Sequence, residues 1–442
     1  MQKGVGITGI REHTEVGIPF LIGFCLMIKK ECLDEIGLMD EQFGIGAMED
    51  VDLCHRARLA GWGMKAVQGV NIQHIPEQTV HHLPQGRQYW EDHFKKNQDL
   101  LARKWNLKRK VTVDICTRNR YQTTLPLCLN SVAMQSYVPY EVIIYDDTDT
   151  SFRKDMRQDP VLSHCLVLLQ QKGISWRVIF GEGRGQVEGH RTALKEAKGE
   201  FIWRLDDDNV PEPDVLEKLM KNFEPDVGAV GGLVLDPGKV STSSIASNKI
   251  EDIYLGLNVQ WFRQDRKIEV DHLYSTFVYR KDQDYYPTGL SRVGHREETI
   301  MTYRMRRQGW RLIVDPGAIT WHLRGPTGGI RGEKGDFWAK DEQIFSQMLI
   351  DWGVRPTIYK TITLDNGIGD HYAFRKVLPK ILSRYPNFIL ACCYPDVFSS
   401  FPVRIVSIGE ARAAGWGDNI YRFMVENNWK GNIVEAYEKY YC

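Results

Sequence analysis

Apolar positions in this chain fall into short β-branched runs separated by amphipathic stretches. Val111 to Cys116 alternates toward a strand, and Glu141 to Tyr145 is a second run, closed by Asp146-Asp147. Arg177 to Phe180 is a third, and Phe201 to Leu205 a fourth that ends in Asp206-Asp207-Asp208. Between the last two, Gly189 to Lys198 carries a helical pattern. Strands alternating with helices predict an α/β unit with a mainly parallel sheet. In such sheets ligands bind beyond the carboxyl ends of the strands, and those ends carry Thr117, Asp146, Asp147, Asp206 and Asp208. The longest apolar run, Gly17 to Ile28, is too short for a spanning helix, which needs ~20 residues. No basic segment precedes it as in a signal peptide, so it reads as a buried strand or core segment.

An internal repeat sets the organisation. Glu49-Asp50 and the residues up to Trp62 are echoed by Glu297-Glu298 and the residues up to Trp310, at an offset of 248. The same offset relates Arg56 to Arg304, Gly61 to Gly309, Gly69 to Gly317 and His74 to His322. Each copy reads as an acid pair, a helix, a glycine stop suited to a left-handed cap, and a short strand ending in His. Nearly 190 residues of further pattern precede Glu297, but only 48 precede Glu49. The first copy therefore reads as the back half of a domain and the second as a whole one.

The acidic triplet has a chemical meaning. Three adjacent carboxylates repel one another unless they are solvated or a cation neutralises them, and Mg²⁺ favours one or two carboxylates plus substrate phosphate oxygens. Alternation along an extended segment would place Asp206 and Asp208 on one side and Asp207 on the other.

Composition narrows the classes. The 442 residues, 43% hydrophobic and 26% charged, exclude disorder or a fibrous repeat as a description of the whole, and the length suggests roughly three domains. Lys+Arg and Asp+Glu both number 57, so no general basic excess draws the chain to nucleic acid or an anionic membrane. The nine cysteines are odd in number, scattered and without a CxxC pair, which argues against a zinc ribbon or disulfide framework and predicts a reducing, cytoplasmic setting.

Thr117-Arg118-Asn119-Arg120, Asp146-Asp147, Gly189-His190-Arg191, Leu205-Asp206-Asp207-Asp208, Glu297-Glu298 and Gly309-Trp310 stand in the order of family 2 glycosyltransferases. The resemblance covers nearly all of residues 109–325. It implies a GT-A nucleotide-sugar-binding fold in the centre of the chain, complete over 109–350. It also implies an inverting, metal-dependent, hexosyltransferase-like reaction, moving a sugar from a nucleotide-diphosphate sugar to a glycan or other hydroxyl acceptor in polysaccharide or glycoconjugate synthesis. Thr117, Arg118, Asn119, Asp146, Asp147, Arg191, Asp206 and Asp207 would hold the donor. Asp206 and Asp208, completed by His322, would hold Mg²⁺ or Mn²⁺. Glu298 would be the general base beside Glu297, although the family more often has Asp there, as in Glu49-Asp50.

Residues 1–108 resemble the acceptor half of the same family, through Phe24 to Ile28, Gly37 to Glu41 and Glu49-Asp50, without a donor half. Residues 357–442 read as a Rossmann-like unit. Asn366-Gly367-Ile368-Gly369-Asp370 after a strand, with Arg384-Tyr385-Pro386, resembles the first part of heptosyltransferase-like GT-B enzymes, in which Asp370 would be a candidate base. Further glycosyltransferase domains or chains would complete these two ends. Two other readings stand beside this one. A nucleotidyltransferase also uses acidic metal loops, but Thr117 to Arg120 lacks the Gly-rich loop usual there. A catalytically passive carbohydrate-binding fragment would not need the acid pairs.

Overall fold

The computed structural model describes residues 11–13, 18–67, 72, 86–105, 109–325, 327–329, 336–416 and 420–442. The expectations for Gly69 and His74 fall outside these. The chain forms two compact units, residues 1–110 and 111–442.

In the first unit, β1 (Arg11–His13) and β2 (Ile18–Phe20) pair antiparallel. Among the described residues, helices follow at Lys30–Ile36, Glu49–Leu59 and Gly86–Lys104. Ile18, Phe43, Met48, Val51 and Leu101 form its core. The Gly17–Ile28 run is not one continuous buried element. It breaks after β2 into a 3-10 turn at Gly23–Cys25, where the Gly23 N–H donates to the Asp50 carboxylate (2.9 Å), and Met27 is 98% exposed.

The second unit is built on β3 (Val111–Thr117), β4 (Glu141–Asp146), β5 (Ser175–Phe180), β6 (Phe201–Arg204), β7 (Asn209–Pro211), β8 (Val227–Leu235), β9 (Ile268–Val270), β10 (Phe277–Arg280) and β11 (Arg311–His322). Its sheet runs β5-β4-β3-β6-β10-β8-β11-β7, with β9 added alongside β11. β3, β4, β5 and β6 are mutually parallel, whereas β10 is antiparallel to both its neighbours. The sheet is therefore mixed rather than mainly parallel. Strands β3, β4, β6 and β8 are buried on both faces, which is why they read as near-continuous apolar runs. Helices 125–133, 160–171 and 215–220 cover one face, and helices 186–196 and 297–307 the other. Chain order reverses where β3 lies between β4 and β6, which opens a crevice at their carboxyl ends.

The 248-residue repeat has a local structural counterpart. Helices Glu49–Leu59 and Glu297–Arg307 both have 11 residues and start from a left-handed residue, Met48 (φ 72°) and Arg296 (φ 69°). Both end at a positive-φ glycine, Gly61 and Gly309. Arg56 donates to the carbonyls of Gly37 and Leu38, and Arg304 to those of Tyr285 and Tyr286, again 248 positions apart.

Residues 357–442 add a parallel sheet of β12 (Lys360–Leu364), β13 (Phe388–Cys392) and β14 (Arg404–Val406), with helix Ile368–Arg384 after β12. This layer is not set apart by a linker. Ile389, Ala391, Val406 and Ala411 pack on Ile245, Leu255, Leu257 and Phe262. Tyr359 donates to the Asp252 carboxylate (2.7 Å), the Trp416 indole to the Leu255 carbonyl (3.2 Å) and the Thr357 N–H to the Glu251 carbonyl (2.7 Å). The compact unit runs to Cys442, and the apolar underside of the 245–262 loop has this layer as its cover. Asp370 receives the Tyr421 hydroxyl on both oxygens (2.8 Å each). No helix among the described residues is long and apolar enough to cross a membrane.

Candidate active site

The strand ends at the crevice open into one cavity of about 400 Å³, lined by Thr117, Arg118, Asp147, Asp206, Asp207, Asp208 and Glu298 among others. Asp147 is fixed at its floor, accepting from the N–H groups of Gly183 and Gly185 (2.9 Å each). Thr117 donates to Asp207 (2.7 Å), and Arg118 pairs with Asp149 (3.0 Å).

The triplet is arranged differently from simple alternation. The chain turns at Asp207-Asp208, so these two carboxylates share Arg120, at 3.5 and 2.7 Å. Asp206 faces elsewhere, accepting from the Ser275 hydroxyl (2.6 Å) and lying 3.4 Å from Arg204. Burial and the neighbouring Asp208 push Asp207 up to about 7 against the pull of Arg120. Burial also disfavours charge on Asp208, yet the His322 hydrogen bond and Arg120 hold it well below the usual carboxylate range.

The acid pair divides its work by burial. Glu297 is fully buried and ion-paired with the guanidinium of Arg204, itself buried in β6. Burial pushes Glu297 up to about 7 despite Arg204. Glu298, one residue later on the first helical turn, is half-buried and lines the cavity. The two carboxylates therefore face different surroundings, and only Glu298 meets the open space.

Several expected positions lie off the cavity wall. Asp146 is wholly buried, holding the Tyr121 hydroxyl (2.5 Å) and the Thr148 N–H (3.0 Å), so it braces the strand end rather than facing a ligand. Asn119 is exposed in a left-handed conformation (φ 55°). Arg191 points away to Asp284 (2.8 Å), because on helix 186–196 it is His190 that turns inward, 2.7 Å from Asp114 and lining the cavity. His322 lies behind Asp208, 3.4 Å from its carboxylate and the same distance from Asp236.

The donor set suits a hard divalent cation, which takes one or two carboxylates and completes its shell from substrate oxygens. Asp206 and Asp208 line the same cavity. Asp206, Asp208 and His322 do not converge as a ready three-ligand cluster. Among the described residues, the group whose ligand atoms all lie within 4.8 Å of one another is Asp114, Cys116 and His190. That group already holds the His190–Asp114 hydrogen bond, and burial pushes the Cys116 thiol well up, away from the thiolate a metal needs.

Sequence reasoning missed Arg120, Arg204, Ser275 and His190, and the wall formed by Trp261, His272 and Tyr274. A charge inside the apolar run Phe201 to Leu205 was a readable signal for Arg204. The wall lies in a stretch without periodicity.

Gly185 makes the loop under Asp147 possible. Its φ is 92°, and an added Cβ would sit 2.1 Å from the Arg292 carbonyl oxygen. Gly185→Ala is expected to destabilise the protein by about 1–3 kcal/mol through backbone strain, and to weaken nucleotide binding as Asp147 shifts. Denaturant midpoints and nucleotide titrations check both effects.

Residues 112–282 match the family model Glycosyl transferase family 2. This stretch is a family 2 glycosyl transferase domain. An uncharacterised glycosyltransferase, YwdF of Bacillus subtilis, is 30% identical over 115 residues, 26% of this chain and 38% of the relative. A glucosyl-dolichyl phosphate glucuronosyltransferase of Haloferax volcanii is 32% identical over 135 residues, 28% of this chain and 38% of that protein. The matched region thus spans about two-fifths of each relative. Among solved structures, S. aureus TarS 1-349 in complex with UDP-GlcNAc aligns with a TM-score of 0.41 at 18% identity, covering 54% of this chain and 66% of that one.

Proposed function

We propose that this chain is an inverting glycosyltransferase of GT-A type, moving a sugar from a nucleotide-diphosphate sugar to a hydroxyl acceptor. The observation that carries the reading is the placing of the strand-end acids Asp206 and Asp208 and the helix-end acid Glu298 around one cavity. Thr117, Arg118 and Asp147, at the carboxyl ends of β3 and β4 and on the cavity wall, would hold the base and ribose. Asp206 and Asp208 would hold a Mg²⁺ or Mn²⁺ ion, with His322 steadying Asp208. Such an ion, when bound, offsets charge on the departing diphosphate.

Glu298 takes the proton of the acceptor hydroxyl. The freed oxygen attacks the anomeric carbon from the side opposite the diphosphate, so one C–O bond forms as another breaks and the configuration inverts. Arg204 and Glu297 neutralise each other beneath this site and fix the start of helix 297–307, which aims Glu298. Glutamate in place of the family's more common aspartate puts the carboxylate farther out by about one C–C bond, and catalysis is sensitive to such displacements.

The matched helix caps and arginine bonds support reading residues 1–108 as the acceptor half of a second such module, with Asp50 in the place of Glu298. For residues 357–442, the parallel β12-β13-β14 order and the glycines before helix 368–384 support a Rossmann-like reading of the GT-B kind. A cytoplasmic setting and a role in polysaccharide synthesis belong to the same proposal.

Asp206→Asn tests the donor site. Asp206 is partly open and lies on a loop, so the fold should survive while metal-dependent nucleoside diphosphate binding weakens at least ~10-fold, the scale of a lost charged contact. Asp208→Asn is a less clean test, since it also strips Arg120 of its nearer partner. Thermal shift with UDP and GDP, with and without Mn²⁺, checks the outcome. Unchanged metal-dependent affinity in a folded Asp206→Asn protein rules the site out.

A further inference from the structure

We infer that His272, Trp261 and Tyr274 form a subsite for a neutral pyranose ring of the acceptor, next to Glu298. The inference rests on the glycosyltransferase reading and names the acceptor class that reading leaves open.

His272 supplies the first observation. It lines the cavity and is 4% exposed, and neither ring nitrogen has a hydrogen-bond partner among the described residues. A buried polar group left unsatisfied is destabilising, so a ligand hydroxyl meeting this ring recovers a loss that the protein alone sustains. Burial, with Arg296 nearby, lowers the imidazole to about 3, so it is neutral at physiological pH and offers one donor and one acceptor. A sugar hydroxyl can use either.

The aromatic wall is the second. Trp261 and Tyr274 meet edge to face, with ring centroids 5.2 Å apart. Both are only half-buried and line the same cavity. A pyranose has an apolar C–H face and a rim of hydroxyls, and this pairing of ring faces with a neutral hydrogen-bonding side chain complements both.

Position ties the subsite to the reaction. Ser275 is bonded to Asp206, and His272 lies three residues away, within ~10 Å along even a fully extended chain. On the other side, the Leu273 N–H donates to the Thr302 hydroxyl (3.0 Å), which itself donates to the Glu298 carbonyl (2.7 Å). Segment 272–275 thus runs between the donor acids and the helix that carries the base. It is held in place beforehand. The Gln260 amide bonds the Gly232 carbonyl and both backbone groups of Tyr274, and Asn248 bonds the His272 carbonyl and the Val259 N–H. A preformed wall reduces the ordering cost of binding. The nearby charges are engaged: Asp252 accepts from Ser247 and Tyr359, and Arg296 pairs with Glu342. This favours a neutral polyol over a phosphate-bearing acceptor.

The test uses the full chain and a panel of methyl hexopyranosides at millimolar concentration, followed by saturation-transfer NMR with UDP or GDP and Mn²⁺ present. Nucleotide affinity is measured in parallel. At least one pyranoside should bind, and Trp261→Ala and His272→Phe should each weaken it about tenfold or more. His272→Asn, which keeps a donor and an acceptor, should restore part of the affinity, and nucleotide binding should hold in all three. Nucleotide binding without any pyranoside binding, or pyranoside binding indifferent to Trp261 and His272, overturns the subsite alone. A wild-type chain that binds no nucleotide overturns the glycosyltransferase reading and the subsite with it.

Discussion

Glu298→Gln should lower sugar transfer by ~10²-fold or more, the scale of a lost general base, while nucleotide binding stays near wild type. The carboxylate faces the cavity and is not committed to a buried partner in the way Glu297 is. Glu297→Gln should act on a different quantity. It leaves the fully buried Arg204 without its strongest counter-charge, and breaking a buried ion pair from one side costs about 3–5 kcal/mol. That variant should melt much earlier, and its folded fraction should lose less rate than Glu298→Gln, since only the aim of Glu298 is disturbed. Glu298→Asp tests the geometry of the longer side chain and should keep part of the activity, since Asp50 occupies the equivalent place in the repeat. Kinetics and melting curves on the three variants separate the roles. Near-wild-type turnover in Glu298→Gln removes this residue from the mechanism, and an unchanged melting temperature in Glu297→Gln removes the buried pair from the account of stability.

Ending the chain at residue 350 should destroy cooperative folding of the second unit. The truncation uncovers Ile245, Leu255, Leu257 and Phe262, which Ile389, Ala391, Val406 and Ala411 cover in the whole chain. At about 1.5–3 kcal/mol for each large side chain left in water, the loss is about 6–12 kcal/mol, comparable with the whole stability of a domain. It also removes the bonds of Thr357, Tyr359 and Trp416 to the 251–255 segment, which steady the wall containing Trp261. Thermal unfolding and size-exclusion chromatography of 109–350 against 109–442 decide it. A cooperative, monomeric 109–350 with full nucleotide affinity would show that the terminal layer is dispensable.

What the sequence determined by itself follows from periodicity and order. Strands β3, β4 and β6 were legible because both their faces are buried, so they read as near-continuous apolar runs with acids at or just beyond their ends. The repeat was legible because the helix, its glycine stop and its arginine recur in one register, and those are local features: a left-handed cap and a bond from Arg304 back to the loop before its own helix. Tertiary structure decided which of the named side chains face the cavity. Asp146 and Asp147 are adjacent in sequence, yet one is closed onto Tyr121 while the other lines the open space, and Arg191 lost the inward position to His190 by one step around a helix. It also decided that Glu297 belongs to Arg204, a partner 93 residues away in the chain. The residues from Lys239 to Gln283 gave no readable pattern because few of them belong to regular elements. Their conformation is set by side-chain bonds to backbone, such as those of Asn248 and Gln260, and by the cover of the terminal layer. Such contacts join positions far apart in the chain and leave no period in the sequence.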